Sequence, residues 1–423
     1  MPGHKGKILL GLEKYDLTEI NGADVLYDAN GIIAESENNL STLFNTQKSL
    51  FSTQGSSLCI SAMLYLVSVY AKSMRNEPLV LAYRNVHKSF ISGVALLDLN
   101  VEFIYPNDCD LISCDIELEN LEKLIKEKKP TALYVTSPDY LGKCLNISAI
   151  AKLCHENGTL LVCDNAHGAY RKFLEPSLHP MDLGADLCCD SAHKTLPVLT
   201  GGAYLHVSKT APKLLANSAK SALSLFASTS PSYLTLSSLD LVNKHLESNF
   251  PKKLKKCADK ISVIKKKLVD YGYCLYGEEP LKLTIKTKSF GYLGTELAKI
   301  LENKNIFCEF CDNDYIVFML SPSNSNRDFK KLEKVLLSIK KRVPITTPCP
   351  KLSHSNKAMS IRDAIFSPQN KVPIEQAEGK ILASPCVSCP PAIPIAICGE
   401  IINKDMIECF KYYGIDEIFT VQK

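Results

Sequence analysis

Leu160-Leu161-Val162-Cys163-Asp164-Asn165-Ala166-His167 and, further along, Cys188-Cys189-Asp190-Ser191-Ala192-His193-Lys194-Thr195 decide how this chain folds. Each is a short β-rich apolar run that gives way to polar residues, and an aspartate directly after a buried strand can point its carboxylate into the crevice above a sheet. Strands of this kind are expected over 79–83, 101–105, 132–136, 159–163, 186–189 and 203–207. Helical periodicity over 58–72 precedes the first strand, and helical patterns over 87–97, 116–127 and 147–157 separate several of the others. The alternation predicts an α/β fold with a mainly parallel sheet covered on both faces. Ligands bind such sheets at the carboxyl ends of the strands, so the residues after each run are the candidates for chemistry.

A second pattern follows. Helices are expected over 234–246 and 256–271, then a strand (281–285), a helix (294–303), two strands (306–310 and 315–320) and a helix (327–340). This describes a small α/β unit with a short split sheet. Pro344, Pro348 and Pro350 mark a linker. The tail carries helices near 358–366 and 404–413, with Cys389-Pro390-Pro391-Ala392-Ile393-Pro394 between them. The expected organisation is an N-terminal arm (1–55), a large domain (56–250), a small α/β domain (251–343) and a C-terminal domain (344–423), without internal repeats.

Composition bounds the reading. At 423 residues, 46% hydrophobic and 22% charged, the chain is an ordinary globular protein with a large core. Its net charge of +4 is small, and lysine runs over 252–256 and 265–267 alternate with apolar helix positions rather than aromatics, so no nucleic-acid partner is expected. The start lacks an apolar h-region, and no apolar run approaches the roughly 18 residues of a membrane span, so a soluble protein with no membrane partner is expected. Seventeen cysteines fit a reducing compartment, the cytoplasm. Cys308/Cys311 and Cys386/Cys389 form C-x-x-C pairs, but a zinc site would need both to converge, and no metal is expected.

Asp164 and Lys194 at successive strand ends suit a cofactor that needs both an acid and an amine. The lysine amine forms an imine with an aldehyde, and the acid keeps a ring nitrogen protonated so that the ring is an electron sink. Singly, the aspartate would be a turn or cap residue and the lysine a solvent-facing one. Their joint placement beside Ser191 and His193 favours chemistry. Thr53-Gln54-Gly55-Ser56-Ser57 before the helix at Leu58 offers hydroxyls and free amides for a phosphate, or a plain serine cap. Arg84-Asn85-Val86-His87-Lys88 follows another strand, and His87 could stack on an aromatic ring or sit at a helix start.

Asp164-Asn165-Ala166-His167-Gly168-Ala169 and Ser191-Ala192-His193-Lys194-Thr195-Leu196-Pro197 closely resemble two motifs of the Orn/Lys/Arg decarboxylase family, fold-type-I pyridoxal-phosphate enzymes related in fold to aspartate aminotransferase. The resemblance continues through Pro2-Gly3-His4-Lys5-Gly6, Arg84-Asn85-Val86-His87-Lys88, Thr136-Ser137-Pro138, Ser230-Pro231-Ser232-Tyr233 and Met359-Ser360-Ile361-Arg362-Asp363-Ala364. It implies decarboxylation of arginine, lysine or ornithine with pyridoxal 5′-phosphate. Lys194 would be the Schiff-base lysine and Asp164 the partner of the pyridine nitrogen. Ala166 would lie against one ring face, with His167 beside it in the motif, and His87 on the other face. Ser56, Ser57, Ser191 and His193 would hold the phosphate. The family builds its sites at a dimer interface, so a homodimer is implied, with Thr229 or Ser230 reaching the second subunit's phosphate.

The stretch 305–312 resembles the family segment whose glutamate faces the substrate side chain, and Glu309 matches it, with Asp312 next in line. In a strand, Glu309 would share a face with Phe307 and Cys311. The chain departs from the family at Asn165, where a glutamate is usual, at Tyr170, where a histidine is usual, and at Cys389-Pro390-Pro391-Ala392, where Tyr-Pro-Pro-Gly is usual. It resembles a short form without the receiver-like N-terminal wing. Two other readings stay open: another fold-type-I reaction such as transamination, with Arg362 as the α-carboxylate clamp, and a non-catalytic paralogue.

Overall fold

The computed structural model describes residues 2–7, 9–105, 112–350, 355–385 and 392–422. Cys386, Cys389, Pro390 and Pro391 lie outside the described residues.

The chain opens with helix α1 (Ile32–Phe44), strand β1 (Lys48–Ser52) and helix α2 (Gly55–Ser73). Strand–helix units follow: β2 (Leu79–Tyr83), α3 (Lys88–Leu97), β3 (Asn100–Ile104), α4 (Leu118–Lys128), β4 (Ala132–Thr136), α5 (Ile147–Glu156) and β5 (Leu160–Asp164). Then come β6 (Leu187–Asp190), the one-turn helix α6 (Ala192–Thr195), β7 (Ala203–Val207) and α7 (Lys213–Phe226). The seven strands form one sheet in the order β1-β7-β6-β5-β4-β2-β3. Strands β2 to β6 are parallel, and β7 runs antiparallel to both β6 and β1.

The apolar runs are continuous because both faces of the sheet are covered. Val80, Ala82, Tyr134 and Val162 face one core with α2, α3 and α7. Their chain neighbours Leu81, Leu133, Val135 and Leu161 face the other, with Ile125 of α4 and Ile150 and Cys154 of α5. Helix α2 has, against expectation, the length and mean hydropathy (1.2) of a membrane span. Its apolar side chains, among them Leu58, Met63, Leu66 and Val67, are buried in the first of these cores, so it is the central helix of the domain.

Beyond α7 run α8 (Tyr233–Ser248) and α9 (Phe250–Tyr271), separated only by Asn249, because Pro251 sits in the first turn of α9 where proline costs no hydrogen bond. Next come β8 (Cys274–Tyr276), β9 (Lys282–Lys286), α10 (Gly294–Glu302), β10 (Phe310–Cys311), β11 (Tyr315–Met319) and α11 (Asn326–Ser338). Their four strands make an antiparallel sheet, order β10-β11-β9-β8. The tail adds α12 (Ile361–Phe366), β12 (Gln369–Pro373), α13 (Lys404–Tyr412) and β13 (Glu417–Val421), with β12 and β13 paired antiparallel. Ile393, Ile395 and Phe410 of the tail pack with Phe310 and Val317 of the small sheet and with Ile112 and Leu141 of the large domain.

Several elements depart from the sequence reading, among them strands β8, β12 and β13, which it did not expect. Residues 48–52, expected in an arm, are an edge strand of the large sheet, registered so that Leu50 faces Leu205. Helices α1 and α7 carry no expected counterpart. The strand expected over 306–310 shrinks to Phe310–Cys311, with Ile306 and Cys308 packed against the core and Phe307 exposed.

Candidate active site

Strand β5 ends on Asp164, which is 2% exposed. Ala166 N–H donates to its Oδ1 at 3.1 Å, Tyr134 Oη to its Oδ2 at 3.2 Å, and Cys189 Sγ approaches Oδ1 at 3.5 Å. Neutral donors from β4, β6 and the following turn therefore fix the carboxylate at the strand's end.

Lys194 lies on α6, the single turn directly after β6, and its Nζ is 3.0 Å from His167 Nε2. Burial lowers the Lys194 amine below the ordinary lysine value, opposed by the carboxylates of Asp164 and Glu309. Burial, reinforced by the Lys194 charge, also pushes His167 well down, so its imidazole is neutral, and its Nδ1 is buried without a partner. His87 caps α3 by accepting from Ser89 N–H at 3.1 Å. Burial lowers its basicity too, partly offset by Asp164.

Hydroxyls gather where α2 begins. Gly55 takes φ +70 and its N–H donates to Gly201 O at 2.8 Å, opening the helix without a side-chain cap for the amides that follow. Ser191 Oγ donates to Ser56 Oγ at 2.8 Å, and Ser89 Oγ donates to Ser57 Oγ at 2.7 Å. A helix N-terminus ringed by hydroxyls is a site for an anion such as phosphate. His193 is turned aside, its Nδ1 3.0 Å from Gly202 O.

Ser56, His87, Asp164, Ala166, His167 and Lys194 line one cavity of about 180 Å³. Ser57, Ser191 and His193 do not line it, although Ser191 is bonded to the lining residue Ser56. Residues given no site role from sequence complete it: Asn85, Ile112, Thr136, Tyr140, Ala392 and Ile393. Thr136 follows the rule of strand ends and was open to recognition on that ground. Ala392 and Ile393 arrive from the tail. The fully buried Arg84 donates to Pro394 O at 2.7 Å and Ile395 O at 3.0 Å, and Lys88 N–H donates to Ala392 O at 2.9 Å.

Several candidates lie outside the lining. Glu309 is exposed just before β10, and Tyr140 Oη donates to its Oε1 at 3.3 Å, which links it to the cavity wall. Asp312 is engaged with the amides of Asp314 and Tyr315, at 2.7 Å each. Thr229 and Ser230 are exposed and do not line the cavity of their own chain. Arg362 donates to Ala95 O at 2.9 Å and Leu96 O at 3.3 Å, closing the carboxyl end of α3 rather than facing the cavity.

The donor set fits pyridoxal phosphate: a buried acid, a lysine of lowered basicity and a hydroxyl-rich helix start converge on one cavity. Buried acceptors without partners, Thr136 Oγ1 and Asn85 Oδ1, belong to residues of the same wall.

Comparison with known proteins agrees. The Orn/Lys/Arg decarboxylase major domain matches residues 11–272, and the family's C-terminal domain matches residues 351–420. An arginine decarboxylase of Halalkalibacterium halodurans is 31% identical over 420 residues, covering 92% of this chain and 82% of the relative. One of Bacillus subtilis is 29% identical, covering 96% and 86%. Among solved structures, lysine decarboxylase A of Pseudomonas aeruginosa superposes with a TM-score of 0.84 at 17% identity, covering 100% of this chain and 78% of that one. An alanine–glyoxylate aminotransferase of Nostoc reaches 0.58 at 16% identity, covering 72% and 85%, which marks the shared fold-type-I architecture. The chain belongs to the Orn/Lys/Arg decarboxylase family and is an enzyme of the amino-acid decarboxylase class.

Proposed function

We propose that the protein decarboxylates a basic amino acid with pyridoxal 5′-phosphate carried on Lys194. One observation carries the reading: Lys194 and Asp164 line a single cavity with Ser56, at the hydroxyl-rich start of α2. When bound, the cofactor supplies an electron sink for the pair left as carbon dioxide departs. Asp164 keeps the proton on the pyridine nitrogen, and its three neutral donors hold it in place. Ser56, with Ser57, Ser191 and the amides after Gly55 beside it, would hold the phosphate, and Ala166 and His87, both in the cavity lining, would flank the ring. The lowered basicity of Lys194 makes its amine available as a nucleophile, and neutral His167 Nε2, 3.0 Å away, holds Nζ in place as a hydrogen-bond partner.

The substrate's second cation needs an acid, since an unpaired buried charge is costly. Glu309 serves this role, oriented by Tyr140 Oη. The relatives named arginine decarboxylases make arginine the first substrate to test. Transamination lacks support from Arg362, whose guanidinium is engaged with α3 carbonyls. Assembly as a homodimer is favoured by the exposed apolar side chains of the N-terminal segment, Leu9, Leu10, Leu12 and Leu17, and by the exposure of Thr229 and Ser230. Buried thiols such as Cys59, Cys163 and Cys189, outside any disulfide, fit a reducing compartment such as the cytoplasm. The test is release of carbon dioxide and amine from arginine, lysine and ornithine by cofactor-loaded protein. Turnover of at least one is expected, and none with all three would overturn the reading.

A further inference from the structure

Just before Lys194, β6 ends on Asp190, whose carboxylate is fully buried yet does not line the cavity. Asn165 Nδ2 donates to its Oδ1 at 2.6 Å, while His179 Nε2 and His206 Nε2 lie 3.0 and 3.1 Å from its Oδ2. The far nitrogens set both tautomers. Met181 N–H donates to His179 Nδ1 at 3.3 Å, so Nε2 carries the hydrogen. His206 Nδ1 meets Ser49 Oγ at 2.7 Å, and burial holds this imidazole below its ordinary value, so it is neutral and donates through Nε2. Burial opposes the charge on Asp190, but His179 and His206 outweigh it and hold the carboxyl well below the usual range. Asp190 is thus an anion whose Oδ1 accepts from an amide and whose Oδ2 accepts from two imidazole Nε2–H groups.

The amide bond has a structural consequence at the cavity. Asn165 stands between Asp164 and Ala166, its N–H donating to Cys189 O at 3.0 Å and its carbonyl accepting from Gly168 N–H at 2.7 Å. The turn closes tightly on its side chain, since a Cβ at Gly168 would sit 1.9 Å from Asn165 Oδ1. The Asn165–Asp190 bond therefore crosses between the ends of β5 and β6, the first carrying Asp164 and the second leading into Lys194. The same turn carries His167, the partner of Lys194 Nζ.

We propose that Asp190 is a positioning residue: through Asn165 it ties the ends of β5 and β6 together and so sets Asp164 and Lys194 across the cavity. The inference rests on the decarboxylase reading for the roles of those two residues. It also accounts for asparagine at 165, where the resembled family usually has glutamate. A second carboxylate against Asp190 would force one of the pair to take up a proton.

A reciprocal exchange tests this in the holoenzyme. Asn165→Asp alone sets two carboxylates together. Asp190→Asn alone turns an amide N–H either at Asn165 Nδ2 or at the two imidazole donors. The double variant restores the pairing, with the new amide accepting from both histidines and donating to the new carboxylate. Three readouts are followed: the melting temperature of the cofactor-free chain, the visible band on titration with pyridoxal phosphate, and kcat. Each single variant is expected to weaken cofactor binding and lower kcat by roughly 10- to 100-fold, the scale of a small misplacement. The double variant should recover most of both, since the two sites are coupled. Where a single variant fails to fold, recovery of fold, band and turnover in the double variant supports the proposal. Single variants that melt lower but keep wild-type cofactor affinity and kcat would overturn it, as would a double variant no better than the worse single one. Wild-type protein without a cofactor band would instead overturn the decarboxylase reading, and this proposal with it.

Discussion

Replacing Asp164 by asparagine separates chemistry from folding. An amide can reproduce every contact of the carboxylate: its oxygen at the Oδ1 position accepts from Ala166 N–H and faces Cys189 Sγ, and its nitrogen at the Oδ2 position donates to Tyr134 Oη, which turns from donor to acceptor. Ala166 N–H keeps its acceptor and only the buried Tyr134 hydroxyl proton loses its own, so the cofactor-free chain should lose about 1–3 kcal/mol. That corresponds to a fall in melting temperature of roughly a few degrees for a chain of this size. What is lost is the negative charge facing the pyridine nitrogen. A pre-organised electrostatic contact of this kind supplies about 2.7–4 kcal/mol, so kcat should fall by about 10²–10³. The assay is steady-state carbon dioxide release at saturating cofactor, paired with melting of the cofactor-free protein. Activity within a few-fold of wild type would refute the electron-sink role. A loss of stability well beyond this would refute the claim that only the Tyr134 contact is disturbed.

Three further outcomes follow from the geometry. Glu309→Gln should raise KM for the basic substrate by roughly 10- to 100-fold, a charge-assisted contact being worth about 1.5–3 kcal/mol, and leave the cofactor absorbance unchanged; an unaltered KM moves the distal acid elsewhere. Because burial lowers Lys194 in the fold, the unfolded chain binds more protons between that lowered value and the ordinary lysine value of about 10.4, so cofactor-free stability should rise with pH across this window. Thermal melts of Lys194→Met should lack that rise, and identical pH profiles would contradict the assignment. Sedimentation at micromolar concentration should show a dimer or a multiple of it, and a fully active monomer would remove Thr229 and Ser230 from any role at the site.

The features legible in the sequence were local ones. Asp164 and Lys194 could be read because each adjoins a short apolar strand, and parallel sheets gather their strand ends at one crevice. The same rule reaches Thr136 at the end of β4, although nothing in composition marks it as polar lining rather than a turn residue. Ala392 and Ile393 stand in a proline-rich stretch whose composition does not place it at the cavity. They reach the cavity through Arg84, whose carbonyl partner Pro394 lies 310 positions away. The Tyr140–Glu309 contact spans 169 positions and is equally silent in periodicity. Strand β1 was missed because Lys48-Ser49-Leu50-Phe51-Ser52 alternates too briefly to stand out, and its pairing with β7 is supplied by the rest of the sheet. His179, which holds Asp190, lies in a loop where no pattern announces a buried imidazole.

The central claim is that Lys194 carries the cofactor. Protein loaded with pyridoxal phosphate should show the visible band of lysine-bound cofactor, and borohydride should bleach it and fix the cofactor to the chain. Digestion and mass analysis should then recover the added mass on the peptide containing Ser191-Ala192-His193-Lys194-Thr195. Recovery on a different lysine, or full turnover by Lys194→Ala, would contradict the account.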